Sequence, residues 1–587
     1  MSSFGDNIPN LSTMSSFGDN IPIGVRLLQK LTDSCPRLHF NREWYYRSSV
    51  LALTYFAYMS YHLSRKPLSV VKAVLYQNCS QLTPSTDIPP NEINTWCDWA
   101  PFVDSDADAL LGMLDSAFLF AYAIAMFSVG NAGFSLFICI CYCDVRLRIY
   151  SRTNQSALFP ISRNVTFRHI LLPIRNCAER INLRYFLSVG MLLSGIFCYL
   201  FGIAKTYNIH NFGYLFFMQA MAGIAQTTGW PGVVTVVGNW FGKSKRGLIF
   251  GLWNSHTSIG NILGSVIAGK YVETDWSLSF IIPGFIIGAV GFIIFLFLVV
   301  RPTDVGCIPP DRGNQRCNNP YRILENRVAN VETPSGDSSE TDDTEVLLGE
   351  QEIQRRLTER SYLLAKQQQE DSEQAIGFIG ACRIPGVIEF SSCLFFSKLV
   401  SYTFLYWLPL YVKSSTEMGA ALSADFSTLF DVGGILGAIL AGVVSDYSGM
   451  SATTCVVMLW GAAPMMFVYL HFGSVSIAMN MFLLIIVGIL VNGPYALITT
   501  AVSAELGTHS SLEGNSKALA TVTAIIDGTG SIGAAVGPLL AGCLKKYGWQ
   551  SVFYMLMASD ALALLFLIRL VRQELKQWKH RRQIRRD

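Results

Sequence analysis

Charge is scarce in this chain: Asp, Glu, Lys and Arg make up only 14% of its 587 residues, and the formal net charge is +3. An ordinary soluble domain carries about 25% of these residues, and a near-neutral balance leaves no electrostatic footprint for nucleic acid. The 14 cysteines are scattered, without zinc-ligand spacing or a secreted disulfide framework. No nucleophile–base–acid set or metal cluster stands out, so an enzyme is not expected, and no cofactor or metal is implied. The first 45 residues contain no long apolar core, so no cleavable signal peptide is expected and the first span serves as its own insertion signal. From Gln77 to Asp108 there is no Lys or Arg at all.

What the chain has instead is apolar sequence, 51% hydrophobic with a mean hydropathy of +0.36. It comes in runs of about 20 residues, the length that spans hydrocarbon. Spans are expected at 48–76, 108–130, 185–205, 212–238, 247–269 and 278–300, and again at 386–412, 423–445, 452–471, 476–500, 515–543 and 549–571. The fold class is therefore an all-α membrane protein of about twelve transmembrane helices in the lipid bilayer. Bases flank alternate loops: Arg26 to Arg47 before the first span, Lys243, Lys245 and Arg246 between the fourth and fifth, and Arg569 to Arg586 at the end. That asymmetry places both termini in the cytoplasm.

Five segments follow. Residues 1–47 form a cytoplasmic tail, 48–301 a six-helix half, 302–385 a largely disordered cytoplasmic linker, 386–571 a second six-helix half and 572–587 a basic cytoplasmic tail. The linker carries polar runs such as Thr341 to Glu345 that cannot be buried. Two such halves resemble the major facilitator architecture, which rocks around a midplane site. Two features stand apart. Met1 to Pro9 recurs as Met14 to Pro22, which points to alternative initiation or a gene-prediction error. An atypical stretch at about 131–177 interrupts the first half and reads as a retained intron or mispredicted exon rather than a new domain.

The first span contains Tyr58, Tyr61, His62, Arg65 and Lys66. Each cation deep in an apolar segment costs roughly 2.5–3.5 kcal/mol on insertion scales. Either they face a watery cavity, or they end a short span and snorkel. The seventh span repeats the theme with Lys398, then Tyr402, Tyr406 and Trp407. These are the opening helices of the two halves, so their bases are expected to meet at the centre. No acid is near either base in sequence; Asp115 and Glu389 are candidate partners elsewhere. A cavity of net positive charge wants an anion, and Arg offers phosphate a fork.

The runs Gly229-Trp230-Pro231, Asn239-Trp240-Phe241, Lys245-Arg246-Gly247, Trp253-Asn254-Ser255-His256 and Asn492-Gly493-Pro494, with Tyr58 to Lys66 and Lys398 to Leu410, resemble the organophosphate:phosphate antiporter family. They look most like the eukaryotic sugar-phosphate exchangers, solute carrier family 37. The resemblance implies antiport of a phosphate ester, glucose 6-phosphate first, against inorganic phosphate, in the endoplasmic reticulum membrane. It implies Arg65 and Lys398 on the phosphoryl group, with Lys66, Tyr58, Tyr61 and Tyr122 at binding-cavity positions. An empty, mutually repelling pair of bases would resist closure, and bound phosphate would relieve it. Lys398 stands where bacterial members carry Arg, which removes the fork. His256 lies one residue before the cavity histidine of bacterial relatives, about 100° round the helix, and is either a site residue or a packed helix histidine. Glu179, Arg180 and Arg184 match the family's conformational latch, and Asp446 belongs to a second-half copy that lacks its basic partner. Asn78 opens a glycosylation sequon, and Cys79 and Cys97 share its loop.

Other readings are a proton-coupled or facilitative carrier of another organic anion, and a membrane scaffold or sensor. Gly528-Thr-Gly530-Ser-Ile-Gly533 satisfies the dinucleotide fingerprint but sits inside a span with no preceding strand. Its small residues are expected to let helices approach closely. No oligomeric state is indicated.

Overall fold

A computed structural model describes residues 21–34, 41–76, 99–103, 106–130, 182–241, 253–307, 378–416, 418–506 and 516–584. The duplicated start, the stretch at 131–177 and most of the linker lie outside these residues. Among the described residues every regular element is helical. Helix α1 (Ile23–Ser34) precedes a first span made of α2 (Arg42–Arg65) and α3 (Pro67–Leu75). Then come α4 (Ala107–Gly130), α5 (Leu183–Thr206), a fourth span split into α6 (Phe212–Gln226) and α7 (Gly229–Trp240), α8 (His256–Val272) and α9 (Leu278–Phe297). The second half holds α10 (Val387–Thr416), α11 (Ala420–Ser448), α12 (Ser451–Phe472), α13 (Ile477–Leu497), α14 (Ser516–Lys545) and α15 (Trp549–Ile584).

Nine helices among the described residues are long and apolar enough to cross a membrane. Among the described residues the three other expected spans do not meet that measure: the 24-residue helix of the first is too polar, and the fourth and fifth present only shorter helices. Pro67 lacks a backbone N–H and disfavours helix at the residue before it, so the first span breaks at Lys66, which caps both α2 and α3. The fourth breaks at Thr227-Thr228, and the fifth has 17 residues. Both breaks lie beside the central cavity.

The two halves pack alike. In the first, α5 lies on α9, α2 on α8 and α4 on α6; in the second, α12 lies on α15, α10 on α14 and α11 on α13. The halves meet through α4 with α14 and α8 with α11, two contacts that a pseudo-twofold axis exchanges. Outward faces are apolar: Phe285, Trp460, Phe482 and Leu565 are all at least 60% exposed, as a lipid-facing belt requires.

Some boundaries shift. A 3-10 turn at Pro302–Val305 buries Pro302, Val305 and Cys307, and Phe378–Cys382 is helical, so both ends of the expected linker carry structure. The basic tail expected from 572 continues α15 as helix to Ile584.

Candidate functional site

Arg65 ends α2, where the chain bends, and is 6% exposed. Its Nε donates to Gln226 Oε1 at 2.6 Å. Gln226 Nε2 donates in turn to Ser64 Oγ at 3.0 Å and Ser194 Oγ at 2.9 Å, so α2, α5 and the end of α6 hold the guanidinium together. The guanidinium also lies 5.1 Å from the Tyr122 ring and 5.5 Å from the Phe118 ring, at cation–π distance. Its Nη2 has no hydrogen-bond partner, and among the described residues no carboxylate pairs with it. A buried donor in that state is costly unless a ligand completes it.

Lys398 comes from α10 and is 4% exposed. Its Nζ meets Asp527 Oδ1 of α14 at 2.6 Å, with the Tyr495 ring 5.6 Å away. A Cβ on Gly530 would come 2.9 Å from Lys398 Cδ, so the small residues of α14 give the lysine stem its room. Arg65, Lys398 and Asp527, with Tyr58, Tyr122 and Tyr402, line one cavity of about 460 Å³. One base from each half therefore faces a common space, with one acid beside them.

At one end of the bundle the halves are tied. Lys545 Nζ meets Asp108 Oδ1 at 2.6 Å, Lys413 Nζ donates to Ala73 O at 2.6 Å, and Ala421 N donates to Glu273 Oε1 at 3.1 Å. Deeper, Lys72 forms a fully buried ion pair with Asp115 and donates to Tyr406 O at 3.2 Å, with Trp407 under its ammonium at 4.1 Å. Lys66 Nζ donates to Leu405 O at 2.9 Å. Toward the opposite end, past Asn261 and Asp431, no side-chain hydrogen bond joins the halves among the described residues.

The sequence profile of the Major Facilitator Superfamily matches residues 171–516. The glucose-6-phosphate exchanger SLC37A2 of Mus musculus is 48% identical over 551 residues, covering 92% of this chain and 95% of that protein. The human SLC37A2 exchanger is 49% identical over 543 residues, and the human glucose-6-phosphate exchanger SLC37A1 is 44% identical over 556, each with 92% and 95% coverage. The chain belongs to solute carrier family 37 of the major facilitator superfamily. A bacterial homologue of the human lysosomal transporter Spinster, solved inward-facing and unoccupied, superposes with a TM-score of 0.52 at 14% identity, covering 90% of this chain and 98% of that one. At that identity the match bears on fold alone.

The family resemblance, the major facilitator fold and a multi-pass membrane carrier are thus borne out. The expected site residues divide. Arg65, Lys398, Tyr58 and Tyr122 line the shared cavity. Tyr61 does not; its hydroxyl shares a 2.9 Å hydrogen bond with Thr228 Oγ1, between α2 and the start of α7. Lys66 points into the tie between the halves. His256 is fully buried behind the cavity wall, 4.7 Å from Tyr58 and 4.3 Å from Trp253 with both ring nitrogens unpartnered, while its neighbour Thr257 lines the cavity.

The expected acids are corrected. Asp115 is taken by Lys72, and Glu389 faces Arg569 at 3.2 Å. The acid at the cavity is Asp527, which sequence reasoning missed. Its presence means that the cavity does not hold a bare pair of repelling bases, because Lys398 is paired with a carboxylate. Of the latch residues, Arg184 is buried at the start of α5 and bonds Tyr185 Oη at 3.1 Å, and Asp446 is exposed near the end of α11. Glu179, Arg180 and Asn78, with Cys79 and Cys97, lie outside the described residues. In the second half an acid holds the first turn of α12, just past the end of α11: Glu574 accepts from Ala452 N and Thr453 N at 2.8 Å and from Thr453 Oγ1 at 2.7 Å.

Proposed function

We propose that this protein exchanges a sugar phosphate, glucose 6-phosphate first, for inorganic phosphate by alternating access. The observation that carries the reading is the buried Arg65, its Nη2 without a partner and no acid paired with it among the described residues, sharing a cavity with Lys398 of the opposite half. The relatives named glucose-6-phosphate exchangers support it over nearly the whole chain. A phosphoryl group completes the Arg65 donors as a charge-assisted acceptor and competes with Asp527 for Lys398. Tyr58 and Tyr122 shape the walls.

With both termini cytoplasmic, as the distribution of bases predicts, the tied end faces the lumen and the opposite end the cytosol. The endoplasmic reticulum is the proposed membrane. Exchange then requires the lysine ties to break while phosphate holds the two halves at the centre. The test is uptake of labelled glucose 6-phosphate into phosphate-loaded proteoliposomes. Arg65→Ala is expected to abolish it, and undiminished uptake refutes the assignment. A second reading, a proton-coupled carrier of another organic anion, draws on the carboxylate of Asp527 inside the cavity. Counterflow indifferent to internal phosphate but driven by a pH gradient would select it.

A further inference from the structure

A second cavity, of about 560 Å³, adjoins the first, and Asn254, Thr257, Tyr402 and Tyr495 line both. Its chemistry is different. Among the described residues no Lys or Arg lines it. Its polar wall is made of amides and hydroxyls, including Asn261, Ser401 and Asn492, and the imidazole of His62, around a single carboxylate, Asp431 of α11. Asp431 is 3% exposed; its Oδ1 accepts from Asn261 Nδ2 at 2.9 Å, and its Oδ2 has no partner. Asn261 Oδ1 lies 3.2 Å from His62 Nδ1. Across the cavity Ser401 Oγ donates to Asn492 Oδ1 at 2.6 Å, a bond that leaves both hydrogens of the Asn492 amide for another acceptor. A Cβ at Gly434 would come 2.9 Å from that amide nitrogen, so glycine there keeps the space open.

Among the described residues the wall offers a phosphate dianion no lining cation, and its one carboxylate already has the Lys66 ammonium within electrostatic reach. A polyol suits such a wall. A carboxylate oxygen without a partner accepts from hydroxyls, and amides and hydroxyls can donate to or accept from the same groups. We infer that this second cavity is the sugar subsite: a sugar phosphate lies with its phosphoryl group between Arg65 and Lys398 and its hydroxyls against Asp431, Ser401 and Asn492. The inference rests on the proposed exchange and adds a division of labour to it. Inorganic phosphate uses the cationic cavity alone, whereas the ester uses both. Asp431 is then a specificity-determining residue, with Asn261 as its positioning partner from the opposite half.

A competing role is plain from the same geometry, because the Asn261–Asp431 bond also joins the two halves. The two roles separate in proteoliposomes loaded with phosphate, assayed both for phosphate self-exchange and for glucose 6-phosphate uptake. Asp431→Asn preserves shape. It is expected to raise KM for glucose 6-phosphate about tenfold or more, the weight of one hydrogen bond to a charged acceptor, while phosphate self-exchange stays within about twofold. Ser401→Ala is expected to shift KM in the same direction by less. In detergent, thermal stabilisation of Asp431→Asn by glucose 6-phosphate should shrink while that by phosphate persists, which reads binding even if transport is slowed. Equal loss of both exchanges makes the residue a tie between halves and overturns the subsite, as does an unchanged KM for the ester. Absence of phosphate self-exchange in the unmodified protein overturns the functional reading itself, before any variant is made.

Discussion

Asp527 is the most informative residue to change, because it and the incoming phosphate compete for the same ammonium. In the structure its Oδ1 holds Lys398 Nζ at 2.6 Å, with both side chains under 10% exposed. Replacing it by Asn keeps the shape and an amide oxygen that can still accept from the lysine, but removes one negative charge from the cavity. A phosphate that also contacts Lys398 would sit about 5 Å from that carboxylate. Two unit charges at that distance repel by roughly 3 kcal/mol at an effective dielectric of about 20. Water in the open cavity reduces the figure, and a conservative remainder of about 1.4 kcal/mol is a factor of ten in affinity. Asp527→Asn should therefore tighten inorganic phosphate binding at least about tenfold, measured by titration calorimetry or radioligand binding to the purified carrier. Exchange turnover should fall, because release becomes slow. An unchanged or weakened phosphate affinity would refute the competition, and with it the view that Asp527 keeps the cavity from holding two bare bases.

Two further predictions concern the scaffold. Lys72 and Asp115 form a buried pair on Trp407; losing one partner strands a charge at about 3–5 kcal/mol. Lys72→Met alone should therefore lower the melting temperature sharply, and adding Asp115→Asn should restore much of it; a double variant no better than the single would show that the pair is not coupled. Glu574 caps the first turn of α12 through three short hydrogen bonds. Glu574→Ala should cost about 1–2 kcal/mol, read as a lower melting temperature, with little effect on glucose 6-phosphate KM.

Arg65 and Lys398 were legible in the sequence because a charge inside an apolar run is too costly to keep unless it meets water or a partner. Asp527 was not, although it too is a charge inside a span. It abuts Gly528-Thr-Gly530, whose small residues dominate the local pattern, and its partner is 129 positions away in the chain. The glycines do serve close approach, since Gly530 lets α14 close on the stem of Lys398. Lys72 was hidden for a related reason: it sits in the apolar stretch after Pro67 that reads as a continuing span. The cavity roles of Tyr61 and Lys66 came from family resemblance, although Lys66 also stood out as a buried charge; resemblance transfers positions but not rotamers, and both side chains turn into helix contacts. The offset of His256 by one helical step is visible in the sequence, and the structure sets its ring behind Tyr58.

Three of the lysines that close one end of the bundle, Lys66, Lys72 and Lys413, donate to the main-chain oxygens of Leu405, Tyr406 and Ala73. Such an acceptor survives a change of side chain at its own position, so these hydrogen bonds do not depend on the identity of the residue that supplies the oxygen. Correlated substitution between relatives would leave these contacts invisible, and a variant meant to prop the carrier open must alter the lysine end of each bond. A peptide oxygen is also a neutral acceptor that water readily replaces when the halves part, so the seal holds firmly shut without making opening prohibitive.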